Sequence, residues 1–362
     1  MNKKRSVVHL VYSLGYGGLE QVIVNLINNS QDDNVNHIVI TLVDIQDLYQ
    51  KINANVPIYC LNKKAGNDIG SHFRLFKLLL NLKPDVLNTY NFGTIEYQLT
   101  AFICNVKTRV HSEHGRDHDD PDGANRKRNS IRKFVSFFLS KFVVVSPDLY
   151  DWAKNIVKVS HNKIQLIYNG VDTDVFTFSE DKFNKFTLCN VGRADPVKNQ
   201  KLLISSYSHI FNKYPDFQES QLLIIGDGPL FDSLQSEITR AGMTENIRML
   251  GFRDDIDEIM KKSHLFVLSS IYEAMPMVVL EAMSCGLPVV STDVGGVSNL
   301  ITKAEGWLVP SQDIESMGQV IYTAFKDAEL RNTKAAVARN KVLTNFSIQT
   351  MVKQYLHLYD AL

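Results

Sequence analysis

Ser269-Ser270-Ile271-Tyr272-Glu273-Ala274-Met275-Pro276-Met277-Val278-Val279-Leu280-Glu281-Ala282-Met283-Ser284-Cys285-Gly286-Leu287-Pro288-Val289-Val290 is the stretch around which the chain is organised. An apolar run, residues 265–268, leads into it and reads as a buried parallel strand. Pro276 suits the first position of a helix and Gly286 its left-handed exit. Glu273 falls in the loop before that helix and Glu281 inside it, eight residues later. A helix start at Met275, Pro276 and Met277 offers unpaired backbone N–H groups and the positive end of the dipole, which favour a phosphate. The first carboxylate is placed to meet what a phosphate carries, and the second to reach the other side. The plain alternative is a strand–loop–helix unit with one capping Glu and one solvated Glu.

With 362 residues the chain is long enough for two domains of ordinary size. Acids and bases cancel at 39 each, so bulk charge gives no support to nucleic-acid binding. Cys60, Cys104, Cys189 and Cys285 are scattered without a C-x-x-C pair, which reads as reduced core residues, not disulfides or zinc ligands. The basic residues 1–5 run straight into a strand-like segment, with no cleavage site and no apolar run of spanning length. The expectation is a cytoplasmic protein with at most a peripheral membrane attachment.

Toward the N-terminus, residues 7–11 suit a first strand. The loop Ser13-Leu14-Gly15-Tyr16-Gly17-Gly18-Leu19-Glu20 then opens a helical pattern through Val22, Ile23, Leu26 and Ile27. Strand, glycine loop and helix is the general form of an anion site, although neither G-x-G-x-x-G nor a Walker lysine is present. Strands are expected at 37–42, 56–61 and 85–89, with a helix over 73–83. This alternation argues for a doubly wound parallel sheet.

Residues 109–120 hold the densest cluster of ionisable groups and are expected to follow a strand, at the sheet end where ligands bind. His111, His114 and His118 invite a zinc reading, but H-x2-H-x3-H in a strand-to-loop passage is no known zinc framework, so no metal is expected. Residues 125–142 are basic in front and apolar behind. They suit either an amphipathic helix on an anionic lipid surface or a sheet-packing helix with a solvated first turn. Arg and Lys in a first turn oppose the helix dipole; attraction to an anionic, lipid-linked acceptor is one reason for them, and the 73–83 helix is a candidate to share that surface.

Strands follow at 142–146 and 164–168, then the turn Asn169-Gly170-Val171-Asp172-Thr173-Asp174 and a polar linker at 179–185. A second sheet opens at 187–191. Gly192-Arg193-Ala194-Asp195-Pro196-Val197-Lys198-Asn199 then places a guanidinium and an ammonium five residues apart, able to hold one diphosphate from two sides. Gly226-Asp227-Gly228-Pro229 is a close turn after the strand at 220–225, and Gly251-Phe252-Arg253 follows the one at 246–250.

Taken in order, G-G-L-E, H-G, N-G-V-D, G-R-x-x-x-x-K-N, G-x-G-P, L-G, E-x7-E and G-G resemble retaining glycosyltransferases of family 4, of the type that builds bacterial surface polysaccharide. The resemblance spans nearly the whole chain. It implies the GT-B fold: two Rossmann-like α/β domains facing across a cleft, an acceptor-binding one at 1–175, a nucleotide-sugar-binding one at 186–344, and a helix at 345–362 crossing back to the first. A sugar nucleotide has the layout read above: sugar, diphosphate, ribose. The implied activity is retaining, metal-independent transfer of a hexose or N-acetylhexosamine, from a donor that is preferentially UDP-linked, to a glycan or polyprenyl-diphosphate-linked saccharide.

By the same resemblance Arg193, Lys198, Glu273 and His114 carry the chemistry, with His111 as the rival match for His114. Gly17, Gly18, Gly192, Gly226, Gly228, Arg253, Met275, Pro276, Met277 and Glu281 bind the donor. No cofactor beyond the donor is implied. Ala274 departs from the Gly common after the first Glu, which bears on donor preference. A nucleotide-sugar epimerase of the same fold and a non-catalytic nucleotide-binding subunit are the alternative readings.

Overall fold

Short runs rich in buried apolar residues build most of the strands, as a parallel sheet covered on both faces requires. In the computed structural model, which describes residues 4–15, 17–30, 35–44, 50–53, 55–116, 120 and 122–360, the chain divides into two units. One comprises residues 1–170 and 348–362, the other Val171–Ser347. The boundary thus lies before the expected position at 175, and the segment read as a linker at 179–185 belongs with the second unit. Tyr16 of the glycine loop, and Asp117, His118 and Asp119 of the polar cluster, lie outside the described residues.

The first unit carries β1 (Arg5–Ser13), β2 (Val35–Asp44), β3 (Ile58–Cys60), β4 (Val86–Tyr90), β5 (Thr108–Glu113), β6 (Lys141–Val144) and β7 (Ile164–Leu166). They form one parallel sheet in the order β3-β2-β1-β4-β5-β6-β7. Its helices are α1 (Gly18–Asn28), α2 (Ile69–Leu82), α3 (Phe92–Ile95), α4 (Tyr97–Ile103), α5 (Arg126–Ser136), α6 (Pro147–Trp152) and, much later in the chain, a closing helix (Ile348–Asp360). The second unit carries β8 (Thr187–Val191), β9 (Gln221–Ile225), β10 (Ile247–Gly251), β11 (Leu265–Leu268), β12 (Val289–Thr292) and β13 (Gly306–Val309), in the parallel order β10-β9-β8-β11-β12-β13. Helices α7 (Gln200–Lys213), α8 (Phe231–Arg240), α9 (Ile256–Lys262), α10 (Met277–Ser284), α11 (Val297–Leu300), α12 (Ile314–Lys326) and α13 (Ala328–Asn345) complete it.

Each sheet reverses its strand order once, between β1 and β4 and between β8 and β11. Those are the crevices where open α/β sheets bind ligands, beyond the carboxyl ends of the strands.

Two expectations are corrected. The front of the ionisable cluster is not a loop: Arg109 to Glu113 lie within β5, with His111 and Glu113 fully buried. Nor are all the charges of the basic helix at the surface. Arg132, 1% exposed, turns inward and pairs with Glu113 at 2.6 Å, so α5 is in part a sheet-packing helix. Burial alone would raise the Glu113 carboxyl, but Arg132 and His111 outweigh it and hold it below the ordinary range.

A polar chain crosses the core of the first sheet. Ser30 donates its hydroxyl to the Leu26 carbonyl, so it accepts from Nε2 of His37. Nδ1 of His37 then accepts from Nε2 of His9 (2.9 Å), and Nδ1 of His9 accepts from the Tyr90 hydroxyl (2.7 Å). Asn88 donates to both Tyr90 and Tyr359, which ties the closing helix to β4. Every proton has a direction, so both histidines are neutral, and burial lowers His37 to about 4.

Candidate active site

The carboxyl edge of the second sheet is stitched from main-chain hydrogen bonds between loops. Gly192 N–H donates to the Ile225 carbonyl at 2.9 Å, Ala194 N–H to Asp227 at 3.0 Å, Leu230 N–H to Ala194 at 2.9 Å and Gly226 N–H to Gly251 at 2.8 Å. The loops after β8, β9 and β10 are thereby one layer. Gly226 has to be glycine: its φ is +131°, and a β-carbon there would lie 2.1 Å from the Gly192 carbonyl oxygen. Gly228 packs as closely on the Ala194 backbone.

At the crevice between β8 and β11 the two halves of the expected charge arrangement meet. Lys198 Nζ lies 2.6 Å from Glu273 Oε1, with the side chains 25% and 10% exposed. The same oxygen accepts the Ser270 hydroxyl at 2.7 Å. Both residues are fixed from behind. Asp195 accepts the Lys198 N–H at 3.1 Å, Ser269 donates to the Lys198 carbonyl at 2.9 Å, and Ile271 N–H donates to the Val197 carbonyl at 2.7 Å. The Glu273 carbonyl accepts Gly296 N–H at 2.8 Å, and a β-carbon on Gly295, whose φ is +51°, would stand 2.1 Å from that oxygen. The loops after β11 and β12 therefore hold Glu273 between them. Ser270 is given no role by the sequence, although it stands three residues before Glu273, and Gly295 enters only as the first glycine of the closing G-G.

Arg193 differs from Lys198 in its surroundings. It is exposed and its guanidinium has no partner among the described residues. A cation held by a carboxylate and a cation held by nothing are both available to an anionic ligand at this edge, the second at lower cost.

Helix α10 starts at Met277 with Pro276 as its N-cap, so Pro276 stands one place earlier than the sequence suggested, and Gly286 takes the left-handed exit at φ +70°. The residues of the turn, Met275 to Met277, are buried, so what this helix start offers is backbone N–H, not side chain. Glu281 lies on α10, partly buried, with no hydrogen-bond partner for its carboxylate among the described residues. Burial pushes it up to about 7. Such a carboxylate gains from a ligand that brings hydroxyl donors. Ala274 is buried in the loop between. Arg253 is engaged at the surface, bidentate to Asp255 at 2.7 and 2.6 Å.

In the first unit, Gly17 caps α1 and Gly18 begins it. The Glu20 carboxylate occupies the space a Gly17 side chain would need, and its pKa is raised by burial. His114 follows β5. Both its ring nitrogens are buried without a hydrogen-bond partner, while Asn169 approaches without meeting hydrogen-bond geometry, and burial lowers the imidazole to about 4. His111, its rival, is used internally: Thr89 Oγ1 lies 2.8 Å from Nδ1 and Glu113 Oε1 3.2 Å from Nε2. Of the two, His114 is the one with unspent polar atoms.

Among the described residues no three His, Cys, Asp or Glu side chains gather as a metal site. Asp172 and Asp174 form a turn in which Asp172 Oδ1 accepts the N–H groups of Asp174 and Val175. No helix of the described residues is long and apolar enough to cross a membrane.

The motif series has counterparts in known proteins. Residues 16–175 match the family described as Glycosyltransferase Family 4, and residues 173–341 that described as Glycosyl transferases group 1. The UDP-Gal:alpha-D-GlcNAc-diphosphoundecaprenol alpha-1,3-galactosyltransferase of Escherichia coli is 31% identical over 328 residues, covering 84% of this chain and 82% of its own. The N-acetylgalactosamine-N,N'-diacetylbacillosaminyl-diphospho-undecaprenol 4-alpha-N-acetylgalactosaminyltransferase of Campylobacter jejuni is 26% identical, covering 96% of this chain and 98% of its own. Among solved structures, Anabaena HepE in complex with UDP superposes with a TM-score of 0.85 at 20% identity, covering 99% of this chain and 100% of its own, which is a likeness of fold. With a relative this similar across most of its length and both family matches in register with the two units, the chain belongs to the family 4, group 1 glycosyltransferases and has their GT-B fold.

Proposed function

We propose that this glycosyltransferase moves a hexose or N-acetylhexosamine from a UDP-sugar to a lipid-linked saccharide, with retention at the anomeric carbon and without a divalent metal, in the making of cell-surface polysaccharide. The observation that carries the reading is the Lys198–Glu273 contact at the strand-order reversal of the second sheet, beside the exposed Arg193. The acceptor class is supported by the two relatives whose names specify diphosphoundecaprenol-linked saccharides.

In this reading Lys198 leaves or shares Glu273 when the donor diphosphate arrives, and Arg193 closes on the same phosphates. The α10 start supplies N–H donors, and no cofactor is needed besides the donor. Glu281 accepts the ribose hydroxyls, and main chain near Arg253 meets the base. Gly17 and Gly18 approach the donor, and His114 the transferred sugar or the acceptor. Glu273, freed on one oxygen, orients sugar hydroxyls, and the Ala274 methyl tunes which sugar fits.

The C1–O bond to phosphate breaks while the acceptor hydroxyl bonds to C1 from the same face. Its proton passes to the departing phosphate oxygen. Preset cations lower this barrier because the charge that develops is negative and lands where they already stand. The exposed Arg126, Lys127 and Lys133 of α5, with Phe134 and Phe137 at 55% and 69% exposure, suit a peripheral contact with an anionic membrane, which flotation with phosphatidylglycerol vesicles would test.

The test of transfer is incubation with a panel of UDP-sugars, with and without lipid-linked acceptor, followed by NMR of the product anomer. Acceptor-dependent transfer with an unchanged anomer supports the reading. Sugar interconversion without acceptor indicates an epimerase, and binding with no turnover indicates a subunit without chemistry.

A further inference from the structure

At the end of the second sheet away from Lys198 and Glu273, the amino ends of the strands border a cavity of about 580 Å³. His264 directly before β11, Pro288 directly before β12 and Lys182 in the stretch leading to β8 line one side of it. The face of α13 that carries Arg331, Ala335, Ala336 and Arg339 lines the other. Strands of four or five residues separate the two ends by roughly 15 Å, so this cavity is no part of the donor site. We propose that it binds an alkyl monocarboxylate of medium chain length, the carboxylate on Lys182 and Arg331 and the chain against Phe178, Leu287, Pro288 and Ala335. This site stands apart from the transfer reading and does not depend on it.

Charge accounting supports a single anion. Three cations line the cavity, and their hydrogen-bond partners are carbonyls. Lys182 donates to Lys261 at 2.7 Å, Arg331 to Ala324 and Phe325 at 2.7 and 3.3 Å, and Arg339 to Ser284. Those carbonyls belong to the last turns of α9, α12 and α10. A helix end carries about half a negative charge, so the three ends offset about half of the positive charge. The acids nearby take little of the rest. Glu180 lines the cavity but is exposed, and Asp181 faces Lys262 at 3.5 Å. Asp327 acts on Arg331 but caps α13, accepting Leu330 N–H at 2.8 Å. The groups that act on Lys182 are Cys189 and Cys285, whose thiols burial pushes up to about 12, so both are uncharged at neutral pH. What remains matches one carboxylate and is too little for a diphosphate. His264 feels the same surplus: burial comes first in lowering it to about 4, and Arg331 and Lys182 add to that. Its Nδ1 accepts Thr187 N–H at 3.1 Å, so the neutral ring carries its proton on Nε2 and is a further donor.

The shape of the apolar part selects an extended chain. Arg331 and Arg339 are eight residues apart on α13, about 12 Å along its axis, with Ala335 and Ala336 between them on that face. Across from the alanines stand the buried Leu287 and Pro288 and the ring of Phe178. That ring packs on Gly286, where a β-carbon, at φ +70°, would come 2.7 Å from it. Phe178 is half exposed, and a chain laid along the alanines covers it. A sugar or a nucleotide would instead turn its hydroxyls toward carbon.

The test uses the full chain and titrates octanoate, octanol and octylammonium by calorimetry. Octanoate is expected to bind at least tenfold more tightly than octanol, octylammonium not to bind, and affinity to rise about fourfold per methylene from hexanoate to octanoate. Lys182→Met is expected to lose roughly tenfold in octanoate affinity, the scale of one charge-assisted contact. Ala336→Glu, an exposed helical position, is expected to lose at least as much, because the new carboxylate occupies the trough and repels the ligand. Glu180→Gln is expected to tighten octanoate two- to fivefold, roughly the range of an exposed charge pair, which a purely structural role for these residues would not produce. Thermal unfolding of each variant within a few degrees of the parent shows that the fold is kept. The site is overturned if the parent does not bind octanoate, if octanol or octylammonium binds as well, or if folded Lys182→Met and Ala336→Glu bind octanoate as the parent does. Should Lys182→Met not fold, Ala336→Glu and Glu180→Gln decide: parent-like affinity in both overturns the site.

Discussion

Replacing Lys198 with alanine removes the one cation that the fold fixes against Glu273. Its ammonium stands 2.6 Å from the carboxylate and is only 25% exposed, so solvent screens it incompletely. At an effective dielectric near 20, opposite unit charges about 4 Å apart attract by about 4 kcal/mol, and loss of a single preset donor to a developing anion slows turnover by about 10²–10³. The two estimates agree, and a fall in turnover of about two to three orders is the expected outcome. A second effect follows from the pair itself. With Lys198 gone, Glu273 keeps only the Ser270 hydrogen bond and turns its full charge toward the incoming phosphates. UDP is therefore expected to bind at least tenfold more weakly to Lys198→Ala, and part of that loss to return in Lys198→Ala/Glu273→Gln, without recovery of turnover. Single-turnover transfer of a radiolabelled sugar and calorimetric UDP titration measure the two effects. Transfer by Lys198→Ala within about threefold of the parent, or a double variant that binds UDP as weakly as the sum of the single losses, would refute the reasoning.

Other outcomes follow from single features. Gly295→Ala places a β-carbon 2.1 Å from the Glu273 carbonyl at a positive φ, so the loop must move: activity is expected to fall more than tenfold, and thermal unfolding to shift downward by a few degrees. Glu281, raised from 4.5 to about 7, gives stability that is complete below the unfolded pKa and lost as pH rises through 7, about 3 kcal/mol in all. Glu281→Gln is therefore expected to gain on the parent in urea unfolding between pH 5 and pH 8, while losing the pH dependence that the parent's carboxylate gives to UDP binding; parallel stability profiles would argue against it. Arg132→Met leaves the Glu113 carboxylate buried and is expected to cost about 3–5 kcal/mol, with much of that recovered in Arg132→Met/Glu113→Gln. His37, lowered from 6.5 to about 4, gives stability that is complete above pH 6.5 and lost as pH falls toward 4, up to about 3 kcal/mol; His37→Asn is expected to show a flatter acid limb in the same assay.

The sequence by itself determined the element order and the anchoring motifs, because both are local. Apolar runs such as residues 265–268 cannot be other than buried strands when glycine turns and helical patterns alternate with them, and Arg193, Lys198, Glu273 and Glu281 stand beside those runs at legible spacings. Local pattern misplaced what depends on who lies opposite. Nothing near Glu113 in the chain announces that its charge is cancelled by Arg132, nineteen residues away, and a dense run of ionisable residues reads as solvated until β5 is seen between β4 and β6. The same holds for His111 and His114, alike as letters, of which one is consumed by Thr89 and Glu113 and the other is left with its nitrogens unspent. Only the tertiary structure brought Lys198 onto Glu273 across the reversal between β8 and β11, put Gly295 behind that carboxylate, and placed Lys63 and the neighbouring pair Lys127 and Arg128, from two separate segments, around one cavity of the first unit. Spacing along a chain fixes which groups a strand or helix presents, but charge is balanced across space, and the partners come from parts of the sequence that no local pattern connects.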